Sequence, residues 1–132
     1  MKNIQFKISH VVIAGLSIGL SLSPAYSWAH AHLHQSVPAD KAVLKSAPSK
    51  VTLEFTEELE TAMSKVVVKN SKTGEVVSEG KLSDGGTGNA GTLEIALKPL
   101  KKAKTTYVVD WKAVSRDTHR MQGKMTFTVD PK

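Results

Sequence analysis

Read for the spacing of its apolar positions, most of the chain alternates with period two. Val51-Thr-Leu53-Glu-Phe55 sets three apolar side chains on one face and polar ones on the other, the mark of a half-buried strand. Leu93-Glu-Ile95-Ala-Leu97 and Met125-Thr-Phe127-Thr-Val129 repeat the pattern. Val66-Val67-Val68 and Val76-Val77 are short β-branched runs separated by the turn-forming Asn70-Ser-Lys-Thr-Gly74. Thr105 to Val114 is the longest strand candidate, and Leu33 to Val37 predicts an opening strand before Pro38. The one helical candidate is a turn around Glu57 to Met63. Ser83 to Gly91 holds too many glycines for a regular element and predicts a surface loop. Seven short strands in about 100 residues predict an all-β antiparallel sandwich. Tyr107 after the Pro99-Leu100 turn suits the tyrosine corner of immunoglobulin-like sandwiches, with Trp111 a core aromatic on the same strand.

The first thirty residues break this pattern. Lys2 and Lys7 precede an apolar run of 12 residues from Val11 to Leu22, then Pro24 and small residues. That order is the signature of a secretory signal peptide, and the run is shorter than the ~20 residues a spanning helix needs. Cleavage after Ala29, preferred over Ala31, divides the chain into a signal peptide, 1–29, and one domain, 30–132. The expected product is exported, soluble and periplasmic, and its first residue is His30. Without Lys2 and Lys7 the formal charge drops from the +6 of the whole chain to +4.

Composition narrows the chemistry. The chain has no cysteine, which excludes disulfides, thiolate zinc sites, iron–sulfur clusters, lipoprotein attachment and a blue-copper centre. Its basic residues are interspersed with acids except in Lys98-Pro-Leu-Lys101-Lys102-Ala-Lys104, which reads as a solvated turn. Two Trp, two Tyr and three Phe are too few for a base-stacking platform, so no nucleic-acid partner is expected.

Histidine placement carries the functional signal. His30, His32 and His34 crowd the expected new N-terminus, and His119 follows Asp117 in Ser115-Arg-Asp117-Thr-His119. In extended backbone Asp117 and His119 would point the same way. A terminal His30 offers its α-amine and ring Nδ1 to one metal as a six-membered chelate; the amine deprotonates near pH ~8. With the His119 imidazole and the Asp117 carboxylate, this nitrogen-rich set favours Cu(II), although zinc accepts the same donors. Met63, Met121 and Met125 read as packing residues.

Taken together, His30-Ala-His-Leu33, Ser36-Val-Pro38-Ala39, Val51-Thr-Leu-Glu-Phe55-Thr-Glu57, Val109-Asp-Trp111 to His119 and Gly123 resemble the CopC family of exported bacterial copper-resistance proteins. The likeness spans the expected mature chain and is most specific at Trp111 through His119. It implies a seven-stranded Greek-key, cupredoxin-like sandwich with one Cu(II) per chain on His30, Asp117 and His119. Glu57 falls where the family often carries an acid near the site. The resemblance further implies a monomeric, non-enzymatic carrier or buffer in copper resistance, with a CopD-type inner-membrane transporter as partner. The methionine-rich Cu(I) loop of some members has no counterpart between Thr61 and Lys81, where Met63 stands alone. The rival function is a copper oxidase or monooxygenase built on a similar N-terminal His chelate.

Overall fold

The computed structural model describes residues 32–86 and 91–132. The expected signal peptide and His30 lie outside the described residues.

Eight strands form two four-stranded sheets. In chain order they are β1 (Leu33–Val37), β2 (Ala42–Leu44), β3 (Lys50–Phe55), β4 (Lys65–Asn70), β5 (Ser78–Ser83), β6 (Thr92–Leu97), β7 (Thr105–Val114) and β8 (Arg120–Val129). One sheet has the order β1-β3-β6-β5 and the other β2-β8-β7-β4. Only β5–β6 and β7–β8 are consecutive neighbours within a sheet; every other connection crosses to the opposite layer. The expected all-β sandwich is therefore what the chain forms.

Alternation dictates the core. Val51, Leu53 and Phe55 from β3 face Val109, Trp111 and Ala113 from β7 across the layers, joined by Leu93, Ile95, Phe127 and Val129. Tyr107 is fully buried. It stacks on Phe127 at 5.3 Å between ring centroids. Its hydroxyl accepts a hydrogen bond from the Lys101 backbone N–H at 3.3 Å, so the expected tyrosine corner is present.

Four elements differ from expectation. The eighth strand, β2, is three residues long and pairs in parallel with β8; so short a segment shows no periodicity of its own. Val76-Val77 precedes β5 rather than forming it. There the Val77 N–H donates to the Val68 carbonyl while the Val77 carbonyl accepts from Lys98, both at 2.8 Å, so these residues are the crossover between layers. β8 begins at Arg120, five residues before the apolar run at Met125. The helical candidate shrinks to a 3₁₀ turn at Thr61–Met63.

Candidate metal centre

The site is built on the β7–β8 hairpin. Val114 pairs with Arg120 at the end of the ladder. The Ser115 N–H donates to the His119 carbonyl and the Thr118 N–H to the Ser115 carbonyl, both at 2.9 Å. Thr118 takes a left-handed conformation, φ 73°, so a tight turn followed by a bulge reverses the chain. Asp117 and His119 do converge, but through this turn rather than through extended backbone. Their approach is close: His119 Nδ1 lies 2.6 Å from Asp117 Oδ2.

Ser115 completes the arrangement. It is 1% exposed, its hydroxyl donates to Asp117 Oδ1, and Ser115 Oγ in turn accepts the His119 N–H at 3.1 Å. Donation from Ser115 first, and the His119 ring second, hold the Asp117 carboxyl below its ordinary range, because both favour the charged form. The carboxylate and imidazole remain open to solvent, 57% and 61% exposed. A base of this kind fixes the orientation of the imidazole while leaving the pair accessible to an incoming cation. Arg116, between Ser115 and Asp117 in sequence, turns away and pairs with Glu58 at 2.8 Å.

The opening of β1 arrives at the same place. The His32 N–H donates to Thr56 Oγ1 and the Thr56 N–H to the His32 carbonyl, each at 3.0 Å. This extends the β1–β3 ladder one residue beyond Leu33. His32 and His119 then line one shallow depression of about 470 Å³ with Trp111 and Met121. His34 lines a different depression with Gln35 and Asp40. Met63 borders a neighbouring one of about 410 Å³ together with Met121. Among the described residues, no third His, Asp or Glu joins Asp117 and His119 as a metal-holding group, and Glu57 makes no hydrogen bond or ion pair with them.

The floor of the depression depends on one small residue. Trp111 packs edge-on against Phe55, centroids 5.1 Å apart, and pairs across the ladder with Gly123. A Cβ on Gly123 would lie 2.4 Å from Trp111 Cζ2, so only glycine lets the indole lie flat there. Ser115 and Thr118 are the contributors that sequence spacing alone passes over. A serine two residues ahead of an aspartate is a turn signal that could have marked the first.

Known proteins share this sequence and fold. The model of the CopC domain matches residues 33–130. Copper resistance protein C of Escherichia coli is 36% identical over 126 residues, covering 90% of this chain and 94% of that protein. Copper transport protein CutJ of Bacillus subtilis is 33% identical over 114 residues, 86% of this chain but 20% of its own length. The crystal structure of PcoC, a methionine-rich copper resistance protein from Escherichia coli, superposes with a TM-score of 0.66 at 34% identity, covering 77% of this chain and all of that one. A domain match over most of the chain, full-length relatives and a shared sandwich converge on one assignment: this chain belongs to the CopC family, whose business is copper.

Proposed function

We propose that this protein is an exported, periplasmic carrier or buffer that holds one Cu(II) through the His30 amine and ring, the Asp117 carboxylate and the His119 imidazole. The observation that carries the reading is the placement of His32. The first described residue of the domain is hydrogen-bonded beside Thr56 and shares a depression with His119, so a chain starting two residues earlier begins within reach of the Asp117–His119 pair. Two imidazoles, an amine and a carboxylate suit Cu(II); Cu(I) prefers sulfur donors, and Met121 is the one thioether lining that depression. A carboxylate among the donors suits holding copper more than activating oxygen, which favours a carrier over an oxidase. The kinship with a segment of a copper transport protein supports delivery to a CopD-type membrane transporter.

The test is a competitive Cu(II) titration of protein starting at His30 against protein retaining Ala29 before it. With Trp28 gone, Trp111 is the remaining tryptophan, and its fluorescence reports binding. The extended form is expected to bind at least tenfold more weakly, with His119→Ala weaker than Asp117→Ala. Equal affinities for the two termini would overturn the site. Sustained peroxide production from ascorbate by the loaded protein would favour the oxidase.

A further inference from the structure

We infer that the outer face of the β2-β8-β7-β4 sheet is an electrostatic docking surface for an anionic phospholipid bilayer. The ladder registers place Lys65 directly opposite Lys112, Asp110 opposite Lys124, and Val114 opposite Arg120. With Lys69 four residues along β4 from Lys65, the side of this sheet turned away from the core carries five cations and the single acid Asp110. That acid contacts Lys124 at 3.7 Å, which leaves the rest uncompensated within the face. The outer face of the other sheet has the opposite balance, with Glu54, Glu79 and Glu94 and an ion pair from Lys50 to Glu94 at 2.8 Å. Like charges set directly across a ladder disfavour the fold, so the Lys65–Lys112 pair is not explained by folding.

The character of the face selects the partner. It is a broad sheet surface whose depression of about 290 Å³ is lined by Lys65, Val67, Lys69, Asp110 and Lys112. No tryptophan or tyrosine projects from it, and such anchors carry the affinity of most protein–protein contacts. Lysine ammonium groups act as point charges with little geometric demand, which suits a fluid layer of phosphate headgroups. The charges also crowd toward the Arg120 end of β8, the end that carries His119. Docking through this face would therefore hold the His119 end near the bilayer. The inference is independent of the copper ligands.

The experiment is co-sedimentation of the metal-free protein with vesicles of phosphatidylcholine containing 30% phosphatidylglycerol, at 50 mM and 300 mM salt. Binding is expected at low salt, lost at high salt and absent with pure phosphatidylcholine. Each lysine removed from the face should weaken partition about fivefold, so Lys65→Gln with Lys112→Gln should lower it about twenty-fivefold. Lys98→Gln with Lys102→Gln, an equal charge change at a distant turn, should change it less than threefold. Equal losses for the two pairs would reduce the effect to net charge and overturn the proposal. So would binding to pure phosphatidylcholine, or binding to soluble polyglutamate without binding to the anionic vesicles, which would assign the face to an acidic protein.

Discussion

At the scale of single residues, the site rests on small groups that exclude alternatives. Gly123 is the clearest case, because its missing side chain is the space the Trp111 indole occupies. Gly123→Ala puts a methyl where no real Cβ could sit, and Trp111 is held on its other side by Phe55. The indole must tilt into the depression it shares with His32 and His119. Overpacking of this kind costs about 1–3 kcal/mol. The expected result is a lower urea midpoint together with an altered Trp111 emission before any metal is added; an unchanged midpoint would mean that the indole has room the packing does not show. Asp117 and His119 could be singled out from their residue types and spacing, because an acid and an imidazole two apart are informative beside a histidine-rich terminus. What fixes their geometry could not. The buried Ser115 hydroxyl has no sequence signal stronger than any serine near a turn, and its effect on Asp117 exists only once the hairpin is closed.

At the scale of elements, alternation made β3, β6, β7 and the second half of β8 legible, since each buries one face against the opposite layer. The first half of β8 was hidden for a physical reason. Its inward positions Met121 and Gly123 include a glycine, which has no apolar side chain to register, although Arg120, Gln122 and Lys124 alternate outward as they should. β2 was illegible because its ladder with β8 depends on Asp40, whose carboxylate accepts the Thr126 N–H at 2.9 Å, and not on any pattern within Ala42–Leu44. The hairpin linking β7 to β8 is the element with a stored cost. Thr118 is β-branched yet sits at φ 73°, a region where such a residue is strained by about 1–3 kcal/mol. Glycine enters that region freely but loses more backbone entropy on folding. Thr118→Gly is therefore expected to raise stability by about 1 kcal/mol in urea unfolding while Cu(II) affinity stays within a few-fold. A destabilised variant would show that the threonine side chain contributes contacts outweighing the strain.

At the scale of the whole molecule, two carboxylates tie folding to pH. Asp117 is held low by Ser115 first and His119 second; Asp130 is held low by Lys104 first, whose ammonium stands 3.2 Å away. A carboxyl whose folded value lies below its unfolded value near 3.8 binds fewer protons in the folded state. Its contribution to stability is then complete above that value and disappears as pH falls through the folded value. In chelator-treated protein, where copper adds no stabilisation of its own, the urea midpoint should hold from neutral pH to about pH 5 as far as these two groups govern it. Below about pH 4 it should fall. Both sites sit on the β2-β8-β7-β4 sheet, one at the His119 end and the other just past the end of β8, so the loss acts at both ends of one cooperative unit. Ser115→Ala separates the two. It removes the leading cause at Asp117, so the variant should start less stable at pH 7 yet lose less on acidification, while Lys104→Met should flatten the acid limb through Asp130. Acid limbs as steep in both variants as in the parent protein would place the acid sensitivity of this fold in other carboxylates.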